Sequence, residues 1–309
     1  MPELPEVQTT VDGLNETVVG KTITDVWTNY KSSFKPHKHT VKDVTFFNLF
    51  KKEIISQRIV KAERIAKNIL IHLSNKKIIL IHMKMTGHLL YGTYVFNTSK
   101  EHRKDPWKPS ESETQALKDP FNRHIRLVFS LSNHKHLSLS DMRKFAKVTL
   151  IDSLDNKHLS HIGPDPLSKE FTFSLFVERI SKKPTGPIKS VLMDQTIIAG
   201  VGNIYSDEAL WLTGLHPEEK VKHILHKRNV LKKLHESVIL VLKKGIDFGG
   251  DSMSDYRNIK GERGLFQGEH NAYRKTGDPC KKRGCNGTIL RKVVRGRSAH
   301  FCSMHQKML

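Results

Sequence analysis

The sequence predicts an α+β protein: a β-rich first domain built as an antiparallel sandwich or barrel, a helical second domain, and a small metal-bearing tail. Three observations carry that expectation. Short runs of β-branched residues follow one another from Ile23 to Ile151, and apolar stripes at helical spacing replace them after Asp152. All three Cys residues fall within the last thirty positions.

Taken in order, the chain opens with Val7, Val11, Leu14 and Val18 at i, i+4, i+7 and i+11. That is one face of a helix, entered at Pro5 and stopped by Gly20. Strands are expected over 23–27, 54–65, 69–73, 78–83, 89–96, 125–131, 136–139 and 146–151. Residues 97–122 are polar and hold Pro106, Pro109 and Pro120, which reads as a long surface loop or a disordered insert. Pro164 and Pro166 mark a linker, and helices are expected over 171–181, 188–194, 204–212 and 223–244. In the last of these, Leu231, Leu234, Val238, Val241 and Leu242 form an apolar stripe. A Gly-rich stretch, 249–268, separates this helical text from the tail. The domain boundaries expected are 1–152, 160–270 and 271–309.

Charge narrows the function. Lys and Arg outnumber Asp and Glu by 52 to 31, a formal charge of +21, and the sequence pI is about 9.8. A surplus of this size points to a polyanionic partner, first of all nucleic acid. No stretch reaches the roughly 20 apolar residues of a membrane span, and the acidic amino terminus is no signal peptide. An odd number of Cys residues clustered with His favours metal over disulfides, and hence a reducing, intracellular setting. A soluble, monomeric nucleic-acid-binding protein without membrane contact is expected, cytoplasmic, or nucleoid-associated in a bacterium.

The tail reads Cys280-x4-Cys285-x16-Cys302-x2-His305. Two chelating pairs around a hairpin-length spacer suit one tetrahedral Cys3His Zn2+ with no ligand position left open, so the zinc is structural. Within the spacer, Arg295 and Arg297 flank Gly296 and offer cations to a phosphate. At the other end stands Met1-Pro2-Glu3-Leu4-Pro5-Glu6-Val7. Loss of Met1, which a small second residue usually permits, leaves a prolyl amine with a carboxylate beside it and another three residues on. An α-amino group has a pKa of about 8, and such amines attack electrophilic carbon to form iminium intermediates. Gly200-Val201-Gly202-Asn203 joins two helical segments, and the amides and Asn203 side chain of such a turn can grip a phosphate.

Several of these stretches together resemble the formamidopyrimidine-DNA glycosylase family. They are the first seven residues, Arg64 to Leu70, Met83 to Gly87, Asp141 to Ala146, the unbroken run Ile188 to Pro217, and the Cys tail. The resemblance covers nearly the whole chain apart from 97–121. It implies a β-sandwich with an amino-terminal helix, a helix–two-turns–helix domain and a zinc-finger hairpin. It also implies a bifunctional DNA glycosylase/AP lyase for oxidised purines in duplex DNA, such as 8-oxoguanine and formamidopyrimidines. Its partner would be double-stranded DNA with oxidised bases or abasic sites. Carried over by matching position, Pro2 is the nucleophile and Glu3 the acid. Glu6 anchors the first helix or orders water, Lys67 steadies the phosphate at the lesion, and Arg297 assists the final elimination. Lys189 and Asn203 fall to DNA binding. Met85, Arg143 and Phe145 match a triad that fills the space left by an extruded base. Asn122 stands where the family has a phosphate-contacting His, with His124 as a substitute. The tail departs from the family in its longer first loop and in His305, where the family has a fourth Cys. Two other readings stay open: an endonuclease VIII-like specificity for oxidised pyrimidines, and a catalytically silent DNA-binding relative.

Overall fold

The computed structural model describes residues 1–30, 38–97, 105–152, 159–253 and 255–309. The described chain divides into two compact units, Met1–Leu159 with Gly249–Leu265, and Ser160–Phe248 with Phe266–Leu309.

The first unit begins with α1 (Leu4–Thr17), which starts in a reciprocal capping box between Glu3 and Glu6 and carries Pro5 in its first turn. Its Val7, Val11 and Leu14 enter the core, and Gly20 ends the passage at φ +82°. Two antiparallel four-stranded sheets follow. One orders β1 (Ile23–Thr28), β8 (Ile125–Leu131), β9 (His136–Ser140) and β5 (His88–Gly92). The other orders β10 (Lys147–Ile151), β4 (Ile78–His82), β3 (Asn68–Leu73) and β2 (Ile59–Ile65). Val26, Phe129 and Leu139 of the first share one apolar cluster with Ile69, Ile71, Ile79 and Ile81 of the second. A sandwich results, because alternate residues on each strand face the partner sheet.

Several details differ from the sequence reading. Ile54 does not open a strand; it closes helix α2 (Val44–Ile54), over most of which no element is expected. The β-branched and aromatic text there favours strand locally. The Asp43 carboxylate accepts from Phe46 N at 2.8 Å, however, and Phe50 and Ile54, one turn apart, are both buried. Tertiary burial decides the outcome. The strand expected over 89–96 breaks at Thr93, whose N–H donates to Glu113 Oε1 at 2.7 Å. Its second half, β6 (Tyr94–Phe96), pairs instead with β7 (Trp107–Pro109). Apart from β7, the described part of 97–122 is a loop of successive turns, but one packed into the unit: Leu117 and Asn122 are buried, and Asp119 caps a tight turn over Pro120–Asn122. Residues 98–104 of that expectation lie outside the described residues.

The Gly-rich stretch also does more than separate. Ile259 joins the sandwich core, and its carbonyl accepts from Tyr91 N at 2.8 Å.

The second unit holds α3 (Phe173–Ser181), α4 (Ile188–Leu192), α5 (Asn203–Thr213), α6 (Val221–Ile224) and α7 (Arg228–Asp247). The helix expected over 223–244 is broken at 225–227 between α6 and α7. Its stripe of Leu231, Leu234, Val238, Val241 and Leu242 is buried as the periodicity requires, and α7 packs on α5. The hairpin of β11 (Ile289–Val294) and β12 (Arg297–Cys302) also packs on α5.

Candidate functional site

In the first unit the sequence-named groups sit in turns or at the ends of elements. Pro2, Glu3 and Glu6 are all buried. Glu6 Oε2 accepts from Glu3 N at 2.7 Å, and Glu6 Oε1 accepts from Asp251 N at 2.8 Å. Tyr256 Oη donates to Glu6 O at 3.0 Å. Glu6 thus spends its carboxylate fixing the start of α1 to the strap 249–265, so of its two expected roles the geometry favours the anchor. Gly250 permits this at φ +88°, because a Cβ there would lie 2.9 Å from Glu6 Cγ. The Pro2 nitrogen follows Met1, which is half exposed, and is an amide nitrogen while Met1 remains.

Lys67 completes the two-residue β2–β3 turn after Ala66, which has φ +54°, and is buried. Nearby, burial, Lys84 and Lys67 push the His82 imidazole down to about 3. The ring stays neutral, and lysine charge is concentrated at this edge, where an anion is favoured.

Met85, Arg143 and Phe145 do come together. Arg143 Nη1 lies 3.3 Å from Met85 Sδ, and its guanidinium carbon sits 4.4 Å over the Phe145 ring. Met85 is 44% and Phe145 46% exposed, which excludes ordinary core packing. What holds this projecting triad is buried beneath it. Asp141 Oδ1 accepts from Thr86 Oγ1 at 2.5 Å, and Oδ2 from Ala146 N at 2.8 Å and Tyr30 Oη at 2.9 Å. Thr86 Oγ1 in turn accepts from Arg143 N at 3.1 Å, tying the 83–87 and 141–146 loops together. Both loops contain a non-Gly residue in the left-handed region, Lys84 at φ +58° and Lys144 at φ +55°. Asp141 opens one of the family-like stretches but was given no role of its own in the sequence reading; its signal is an Asp at a strand end directly before the apolar and cationic triplet.

Asn122 faces inward. Its Oδ1 lies 2.9 Å from His88 Nε2 and its Nδ2 donates to Ala116 O at 2.8 Å, so no amide group remains for a phosphate. His124, the substitute, lies near Arg126 Nη2 (3.3 Å) and the Asp105 carboxylate (3.7 Å) and is partly buried.

In the second unit, Gln195 shapes the Gly-rich turn. Its Nε2 donates to Met193 O at 2.9 Å and Val201 O at 2.8 Å, and its Oε1 accepts from Gly200 N at 2.9 Å. Asn203 then starts α5 behind Gly202, and its Oδ1 has no partner among the described residues. The N-terminal turn of a helix is suited to an anion, although an amide oxygen, being an acceptor, adds nothing to that. Lys189 is placed differently from the DNA-contact expectation. Its side chain is 1% exposed and ion-paired to Asp207, itself 0% exposed. An ammonium taken out of water needs a carboxylate more than it can serve a surface phosphate. It also reaches Asn203 O at 3.4 Å, so it braces the turn from beneath. Asp207 Oδ2 accepts from His300 N and meets His300 Nδ1, both at 2.9 Å, which extends the brace to β12.

Arg297 opens β12 after Arg295 (φ +46°) and Gly296 (φ +78°), two left-handed residues that make the tight hairpin turn, and it is exposed. At the foot of the hairpin, the donor atoms of Cys280, Cys285, Cys302 and His305 lie within 4.8 Å of one another and can hold a metal ion. Cys285 Sγ is 3.5 Å from Cys302 Sγ, and Cys280 Sγ is 3.3 Å from His305 Nδ1. Tetrahedral thiolates about 2.3 Å from a zinc ion stand roughly 3.8 Å apart, so the donor set fits. His305 Nε2 sits 3.0 Å from Trp211 O, which reserves Nδ1 for a metal.

Residues 1–148 match the family model for the formamidopyrimidine-DNA glycosylase N-terminal domain, and residues 162–257 match that for its H2TH domain. Fold and matched domains together define a DNA glycosylase of the kind that acts on damaged DNA. Formamidopyrimidine-DNA glycosylases from Herpetosiphon aurantiacus and Bacillus subtilis are each 33% identical to this chain. The alignments span 99% of it and 100% and 99% of those proteins. A Lactococcus lactis member solved with DNA containing an abasic site is similar at a TM-score of 0.79 and 30% identity, with 99% of each chain covered. MutM in complex with DNA containing carbocyclic 8-oxo-G gives 0.78 and 31%, over 99% of this chain and 100% of that one. The chain belongs to the formamidopyrimidine-DNA glycosylase family.

Proposed function

We propose that the protein excises oxidised purines from duplex DNA and then cleaves the strand, with the Pro2 amine as nucleophile and one structural zinc in the tail. The observation that carries this reading is the start of α1: a buried prolyl residue beside Glu3, held by the Glu6 anchor, in the same unit as an assembled Met85–Arg143–Phe145 wedge. Removal of Met1 frees the nitrogen. Pro2 N bonds to C1′ of the extruded nucleotide, Glu3 gives a proton as the sugar ring opens, and the N-glycosyl bond breaks with the base as leaving group. The resulting iminium acidifies the neighbouring C2′ proton, whose loss expels the 3′ phosphate; a second elimination expels the 5′ phosphate. Lys67 and Asn203 grip phosphates, and Arg297 assists the second elimination. Cys280, Cys285, Cys302 and His305 would hold the zinc, which would fix the hairpin that presents Arg297 without taking part in bond breaking. An intracellular setting accords with reduced thiols, and among the described residues no helix is long and apolar enough to cross a membrane.

Borohydride trapping tests the amine. Chain shown by mass spectrometry to begin at Pro2 should form a covalent adduct with duplex containing 8-oxoguanine. Pro2→Gly should lose most excision while keeping duplex affinity. Full excision by protein that retains Met1 would end the amine reading. A panel of purine and pyrimidine lesions on the same protein tests the substrate class.

A further inference from the structure

Residues 105–122 have no role in the reading above. They nevertheless make a defined set of contacts with the strap 249–265, within the first unit. Arg257 of the strap is buried, and Asp119 Oδ2 lies 3.3 Å from its Nη2 and 3.4 Å from its Nε. The Phe121 ring covers the same guanidinium at 4.7 Å. Asn122 Nδ2 lies 3.4 Å from Gly261 O. Gly261 has φ +83° and is so close to the insert that a Cβ would stand 2.7 Å from Ala116 O.

The strap carries this hold onward. Arg257 Nη1 donates to Tyr256 O at 2.8 Å, and Ser252 Oγ donates to the same carbonyl at 2.8 Å. Gly264 N donates to Ser252 Oγ at 2.8 Å, where the strap crosses itself. Its far side ends on Glu6, through Tyr256 Oη and Asp251 N, and Glu6 holds Glu3 N. We propose that residues 105–122 are a clamp on the strap, and that Asp119 is a positioning residue which, through Arg257 and Glu6, fixes the place of the Pro2 amine. The inference rests on the reading of Pro2 as nucleophile. Its physical basis is that attack on carbon tolerates little displacement: an error of about 1 Å can cost on the order of a hundredfold in rate.

The test uses the full chain. Asp119→Asn keeps an acceptor for Phe121 N, now at 2.8 Å from Asp119 Oδ1, but removes the charge facing Arg257. Single-turnover excision at saturating enzyme, on duplex containing 8-oxoguanine, should slow by about ten- to a hundredfold. Duplex affinity should stay within about twofold, since no phosphate contact changes. Amide exchange at Asp251 should quicken by at least about tenfold, as its bond to Glu6 opens more often. Asp119→Glu should recover most of both losses. Phe121→Ala, at a half-exposed ring, should fold normally and move both readouts the same way by less. Exchange at Asp251 and excision rate both within twofold of the unmodified chain, in Asp119→Asn and Phe121→Ala alike, would overturn the clamp. Should Pro2→Gly excise at full rate, the amine reading fails instead, and Asp251 exchange still decides whether the clamp exists.

Discussion

Lys189→Ala separates a buried brace from a DNA contact. The ammonium and its Asp207 partner are 1% and 0% exposed, so the substitution leaves a carboxylate in the interior without its ion. Breaking such a pair from one side costs roughly 3–5 kcal/mol. Asp207 keeps its two His300 contacts, which places the cost near the lower figure, about 3 kcal/mol. For a unit of this size each kcal/mol moves the midpoint by roughly 2–4 °C, so the helical unit should melt about 6–12 °C lower. Calorimetry reads the midpoint. A salt series of duplex binding, run well below the melt, supplies the second readout. Loss of a phosphate contact would make the slope of log K against log salt shallower by about 1, whereas loss of an internal brace leaves the slope unchanged. A midpoint within about 2 °C of the unmodified chain, together with a shallower slope, would refute the reasoning and return Lys189 to the DNA face.

The remaining predictions concern the wedge, the metal and pH. Met85→Ala and Phe145→Ala remove half-exposed side chains, so stability should fall by less than about 1 kcal/mol while excision from duplex slows; a large drop in midpoint with unchanged excision would make them packing residues. Arg143→Ala should also flatten the dependence on the opposite base, measured by excision from four duplexes that differ only there. Elemental analysis should find one zinc per chain, and chelation should weaken duplex binding before the sandwich unfolds; active, freshly purified protein without metal would contradict this. Burial, against the opposing pull of Asn122, lowers His88 to about 4. The unfolded ring titrates near 6.5, so its neutral burial contributes full stability above that pH and loses it as pH falls towards 4. By pH 5 the loss should be roughly 2 kcal/mol in denaturant titrations, and His88→Gln should remove that share of the acid sensitivity.

Much was legible in the sequence because it was local. Strand alternation, the α1 and α7 stripes, the Cys and His spacings and the Gly200–Asn203 turn each depend on residues a few positions apart. The wedge was also legible as residue types, an apolar pair around an Arg, though not as a cluster. Misplaced elements were those in which a distant contact outweighs local preference. Helix α2 forms from strand-like text because Phe50 and Ile54 reach the core one turn apart, and β6 leaves β5 to pair with a segment that reads as loop.

By itself, then, the sequence determined the α+β class, the cationic surplus that calls for a polyanion, the metal-binding donor set and an amino terminus able to become a nucleophile. Tertiary structure alone decided which polar groups are spent internally. Lys189 and Asn122 read as surface ligands until their partners Asp207 and His88 are seen 18 and 34 positions away. Glu6 became an anchor through Asp251, 245 positions distant, and Asp141 became the support of the wedge through Tyr30, 111 positions distant. Residue type fixes what a side chain can donate or accept. Which partner it meets, and whether water is excluded there, is set by packing between segments that one-dimensional spacing does not bring together.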